Sequence, residues 1–124
     1  MKLNLFLDDY RDPDDVYKYI DNFDYISKIW VVVKNYNEFI KHIKTFGLPE
    51  IISFDHDLAP EHYVSLVEHE IPYSRFKEKT GYDCVIWLCE YCLKHNKKLP
   101  EYLFHTQNRI GLMNMYKYIN KFKL

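Results

Sequence analysis

Glycine is scarce in this sequence, three residues in 124, and the five prolines are scattered rather than clustered. That scarcity excludes a collagen-like or low-complexity chain, while a hydrophobic content of 48%, 18% of residues being aromatic, points to a packed globular core. Cysteine is sparse and odd in number, and Cys84, Cys89 and Cys92 crowd into one stretch. Such a set does not make a disulfide framework and fits a reducing compartment. Cys89 and Cys92 spell C-x-x-C, but no strand signal precedes them and no second ligand pair exists, so they read as small apolar packing. Neither sign of charge dominates: the net value is −1, which leaves no broad basic field to hold nucleic acid or an anionic membrane. Long apolar runs are missing too. No stretch approaches the roughly 20 residues of a membrane span, and "MKLNLFLDD" turns acidic where a signal peptide would need a longer apolar run. The expectation is one soluble, cytoplasmic domain.

What is present alternates. "LNLFLDD" is an apolar run ending in acid, the pattern of a strand covered on both faces of a parallel sheet. Asp12 before Pro13 reads as a helix cap with proline at the first helical position, and the spacing of Val16, Tyr19, Ile20 and Phe23 extends that helix. "IWVVV", residues 29–33, is the second strand. After Asn37, the residues Phe39, Ile40, Ile43 and Phe46 recur at helical spacing until Gly47 and Pro49 stop the helix. "IISF", residues 51–54, is the third strand. Residues 59–79 contain two prolines and no sustained period, which describes a long loop or lid with room for a short helix. Thr80 and Asp83 form a reciprocal cap for a helix through "CVIWLCEYCLKHN", apolar nearly all round and therefore well buried. "YLFH" supplies a last strand, followed by a helix from about Ile110 to Phe122.

Strands alternating with helices specify a doubly wound, mainly parallel α/β sheet of four to five strands, with strand order 2-1-3-4. Ligands of such sheets sit beyond the carboxyl ends of the strands, where the order reverses. Three apolar strands here run straight into polar residues: Asp8 and Asp9, then Asp55, His56 and Asp57, then His105, Thr106 and Asn108. In that strand order all three clusters meet. Carboxylates brought together repel, and a divalent cation or a shared proton relieves them. Hard oxygen donors without thiolate favour magnesium, manganese or calcium, with His56 and His105 leaving room for a transition metal. Either histidine can also give or take a proton near neutral pH. Arg11 has the planar fork to hold a phosphate oxygen, or pairs with Asp12, Asp14 or Asp15. His62 and His69, in the long loop, read as solvated surface residues.

The motifs "FLDDYRDP", "ISFDHDL", "TGYDCVIWL" and "FHTQNRIG" occur in the order and spacing of the cyclic-phosphate processing receiver-like domains, and the chain resembles that family over nearly its whole length. The resemblance implies a receiver-like, flavodoxin-like fold and a divalent cation, Mg2+ or Mn2+, held by Asp8, Asp9 and Asp55. It implies catalytic roles for His56, His105 and Asp57, phosphate contacts from Arg11, Thr106 and Asn108, and support from Thr80, Gly81 and Asp83. Thr106 stands where serine is usual and Arg109 where proline is usual, and the loop from Ala59 to Lys79 is longer than the family norm. An ordinary phosphoacceptor receiver would need a fifth strand ending in lysine, which this chain lacks.

Three functions are expected in that order. The first is a metal-assisted phosphoesterase acting on a cyclic nucleotide or the cyclic phosphate of an RNA end, with His56 and His105 dividing base and acid roles. The second is a module that sequesters a cyclic nucleotide signal without cutting it, stacking the base on Tyr63, Tyr73 or Phe76. The third is a receiver phosphorylated on Asp55. Richness in Lys, Asn, Ile, Tyr and Phe fits an AT-rich genome, such as a viral one.

Overall fold

The fold is that of a computed structural model, which describes residues 3–67 and 70–123, the side chains of 64–67 excepted; His69 lies outside the described residues. The chain runs β1 (Asn4–Leu7), α1 (Pro13–Tyr17), α2 (Asp24–Ser27), β2 (Trp30–Val33), α3 (Tyr36–Phe46), β3 (Ile51–Phe54), α4 (Gly81–Lys94), β4 (Glu101–Phe104) and α5 (Arg109–Lys123). Between β3 and α4 lie two 3₁₀ segments, Pro60–Val67 and Tyr73–Arg75.

The four strands pair in the order β2-β1-β3-β4, all parallel. Every residue of β3 is buried, because helices cover both faces of the sheet. Leu5, Leu7, Ile52 and Phe54 face α3, α4 and α5, where Phe39, Ile43, Val85, Leu88, Met115 and Ile119 complete the larger core. Phe6 faces the other way, against Val16 and Tyr25 of α1 and α2. Alternation along each strand thus divides the core. No helix among the described residues is long and apolar enough to cross a membrane.

The ladder continues one residue past the strands. Asp8 N–H donates to the Val33 carbonyl, Asp55 N–H to Leu7 and His105 N–H to Phe54. Three polar residues from three strands are therefore held at one height by sheet geometry.

Local signals explain most boundaries. Asp12 and Asp15 form a capping box at α1, Asn35 caps α3, and Thr80 with Asp83 caps α4. The helix expected to run through Phe23 instead ends at Tyr17, and a short second helix begins after an Asn22 side chain that accepts from Asp24 N–H. Phe23 and Phe46, expected on core faces, are largely exposed, as is Leu93 on α4. His62 departs from its solvated reading: it is wholly buried, its Nδ1 accepts from Leu58 N–H and its Nε2 donates to the Glu78 carbonyl. All three cysteines are buried on α4, and burial pushes each thiol up, that of Cys89 to about 12, which agrees with a packing role.

Candidate active site at the carboxyl edge of the sheet

Asp8 is completely buried and takes four donors. Its Oδ1 accepts from the backbone N–H of Tyr10 at 3.0 Å and of Arg11 at 2.9 Å. Its Oδ2 lies 3.0 Å from both Arg11 Nε and His105 Nε2. Burial alone would raise this carboxyl, but the bonds from His105, Arg11 and Tyr10 hold it below the usual range. Arg11 also reaches Asp55, its Nη2 being 3.3 Å from Oδ1, and its guanidinium lies by the rings of Tyr10 and Tyr19.

Asp55 has the opposite balance. Burial and then the charge of Asp8 push its carboxyl up to about 7, and Arg11 offsets only part of this. Asp9 is raised as well, by burial and by Asp8. Asp9 Oδ1 and Asp55 Oδ2 are buried oxygens without a hydrogen-bond partner among the described residues. Such oxygens fit a hard divalent cation. Asp8, Asp55 and His105 each bring a potential ligand atom within 4.8 Å of the others. Asp8 is already saturated, however, and His105 Nε2 carries the proton it gives to Asp8, so within that group Asp55 keeps an oxygen for a cation, and Asp9 is not part of the group.

Behind Asp8 runs a buried relay. His105 Nδ1 is 2.7 Å from Ser53 Oγ, which is 2.7 Å from the Tyr25 hydroxyl. Because Nε2–H donates to a carboxylate, Nδ1 accepts from Ser53, and Ser53 in turn accepts from Tyr25. The ring is stacked on Phe6 with centroids 4.3 Å apart. Tyr19 bridges the same corner: its hydroxyl donates to the His105 carbonyl and accepts from Arg11.

His56 lies across the sheet. Its Nδ1 donates to Asp57 Oδ1 at 2.7 Å, and its Nε2 meets the Tyr73 hydroxyl at 2.9 Å. Asn108 caps α5 through the Gly111 N–H and gives its amide to Asp57 at 3.1 Å. Two glycines permit this crowding. A Cβ on Gly111 would strike the His56 ring, and one on Gly81 would strike the Asp55 carbonyl. Thr80, Gly81 and Asp83 thus act as the foundation that seats α4 against the end of β3.

A cavity of about 90 Å³ opens between these groups, lined by Arg11, Asp55, Asp57, Thr106 and Asn108, with Tyr10, Tyr63 and Gln107 at its exposed rim. Thr106 Oγ1 accepts from Asn108 N–H, which leaves its hydroxyl proton for a ligand. The structure therefore gathers most of the sequence-predicted residues, but not as a facing pair of histidines. His56 and His105 are fully buried on opposite faces of the sheet, each behind an aspartate. Arg109 is exposed at the start of α5 and does not line the cavity. Tyr73 and Phe76, considered as base platforms, pack inward against His56 and His62.

Sequence reasoning missed Ser53, Tyr19 and Tyr25, whose roles depend on pairings across the sheet, and Tyr10 and Gln107. The last two stand inside the motifs and could have been found by asking which neighbours of the acids and Asn108 had no core face to fill. Comparisons with curated proteins and with solved structures return no match. A family model described as the cyclic-phosphate processing Receiver domain matches residues 3–121, and with this sheet order and these strand-end residues the chain belongs to that family.

Proposed function

We propose that the cavity hydrolyses a cyclic phosphate carried by a nucleotide or an RNA end, opening the ring. The observation that carries this reading is the lining itself. A cation, Arg11, and a free hydroxyl, Thr106, share about 90 Å³ with two carboxyls, Asp55 and Asp57. Water adds to phosphorus, one P–O ester bond of the ring breaks, and the alcohol oxygen leaves with a proton. Asp57, fixed by His56 and Asn108, takes the proton of the attacking water. Asp55, near half-protonated at neutral pH, is the group that can return a proton to the leaving oxygen. Arg11 and Thr106 donate to the phosphoryl oxygens. His105 works through Asp8, holding the charge that keeps Arg11 in place.

Mg2+ or Mn2+ would be held through Asp55, whose orphaned Oδ2 fits it, with the orphaned Oδ1 of Asp9 as a second candidate ligand, and would neutralise phosphoryl charge. A bound cation and a proton would compete for Asp55, so Asp55 would serve either as acid or as ligand. Asp57→Asn keeps the Asn108 contact and removes the base; turnover should fall about 10²- to 10⁴-fold with the fold intact. Full activity in that variant would remove Asp57 from the mechanism.

One observation favours the second reading, a module that binds without cutting: both imidazoles have both ring nitrogens bonded inside the protein. It predicts ligand recovered unaltered after denaturation.

A further inference from the structure

The cavity is small and its rim is aromatic. About 90 Å³ is well below the roughly 300–1,000 Å³ of pockets that enclose a whole small molecule, so it suits a phosphoryl group rather than a sugar with its base. Whatever carries the phosphate must lie across the rim. Two of the three rim side chains are tyrosines from different parts of the chain, Tyr10 from the β1–α1 connection and Tyr63 from the first 3₁₀ segment.

Neither ring is spent on the core. Tyr10 is 69% exposed and Tyr63 39%, so both leave ring surface open to a ligand. Their backbones are nonetheless pinned. Tyr10 N–H is bound to the buried carboxyl of Asp8. Tyr63 follows His62, anchored to Leu58 and Glu78, and Glu61, which accepts from the N–H groups of Lys77 and Glu78. Both tyrosines line the mouth of the same cavity. On the inner side Arg11 lies 5.3 Å from the Tyr10 ring centroid, so the phosphate contact and the aromatic surface are adjoining.

From this arrangement we infer that Tyr10, at the cavity mouth beside Arg11, is a stacking platform for a nucleobase. The preferred substrate then carries its cyclic phosphate on a nucleoside, with the phosphoryl group inside and the base outside. Gln107, exposed on the same rim, offers an amide to the edge of that base. The inference rests on the phosphate-site reading above and adds the residue that would recognise the nucleoside. An aromatic face accepts any base, so the platform separates nucleotides from base-free phosphates rather than one base from another.

Calorimetry with three unreactive probes tests it: inorganic phosphate, glycerol 2-phosphate and adenosine 3′-monophosphate. The intact chain should bind the nucleotide about five- to 150-fold more tightly than glycerol 2-phosphate, the span expected for stacking one base. Tyr10→Ala should bring that ratio towards one, and Tyr10→Trp should keep or raise it, with unchanged circular dichroism in both. A ratio near one in the intact chain, or a ratio unmoved by Tyr10→Ala while phosphate still binds, would overturn the platform and leave the phosphate site standing. Failure of all three probes to bind would instead overturn the phosphate site and the platform with it.

Discussion

Asp55 and His105 sit at one corner of the site and respond to pH in opposite directions. The Asp55 carboxyl rises from 3.8 in an open chain to about 7, chiefly through burial and then through Asp8. Between those values the folded state binds the extra proton, so this group adds stability as pH falls from 7 towards 4. Above 7 it carries a buried charge that costs on the order of 4 kcal/mol, at about 1.4 kcal/mol for each tenfold change in proton affinity. His105 is lowered by burial, which outweighs the pull of Asp8. The unfolded chain therefore takes up a proton below 6.5 that the folded ring refuses, and this removes stability on acidification. Asp55→Asn isolates the first effect because it keeps His105. In EDTA, urea denaturation should show the variant more stable than its parent at pH 8, with the gap closing towards pH 4. A gap of constant size would contradict the assignment. Ser53→Ala tests the relay: it leaves His105 Nδ1 and the Tyr25 hydroxyl without partners, at a cost of about 1–3 kcal/mol. In the parent, nitrogen-15 spectra should show His105 protonated on Nε2; the variant should keep that tautomer, which Asp8 holds, while its Nδ1 resonance shifts as the Ser53 bond is lost.

Among the elements, glycine positions separate fold from site. Gly47, after α3, has φ 86° and ψ 179°, a conformation reserved for glycine, and open space around it, so Gly47→Ala should cost about 1–3 kcal/mol in backbone strain and spare turnover. Gly111→Ala pushes a methyl into the His56 ring; denaturation should show a loss of about 1–3 kcal/mol, and turnover should fall with it. Three of the four strands were legible because apolar runs ended abruptly in acid or histidine, and the α4 cap because Thr80 and Asp83 sit at the reciprocal spacing. The end of α1 was not. Tyr19 fits a helical stripe in the sequence, but its hydroxyl is engaged with Arg11 and the His105 carbonyl, a partner 86 residues away. His62 was misread for the same reason, since its anchors, Leu58 and Glu78, come from both ends of the long connection.

Across the whole molecule, the site forms where the two faces of the sheet meet at its carboxyl edge. Asp8, Asp55 and His105 continue the face covered by α1 and α2, whereas His56 turns to the face covered by α4 and α5. A shift of one residue along a strand reverses the face, and beyond the last pair of a strand sequence alternation no longer says which way a side chain turns. The convergence of the three clusters was therefore readable, while the separation of the two histidines was not. The measurement closest to the central claim is incubation of the protein in oxygen-18 water with a panel of 2′,3′-cyclic, 3′,5′-cyclic and cyclic oligonucleotide phosphates, with and without Mg2+ or Mn2+, read by mass spectrometry. The account predicts a ring-opened product bearing one solvent oxygen on phosphorus, lost in Asp57→Asn. Cyclic ligand retained by the protein and released unaltered would contradict hydrolysis and leave a sequestering module in its place.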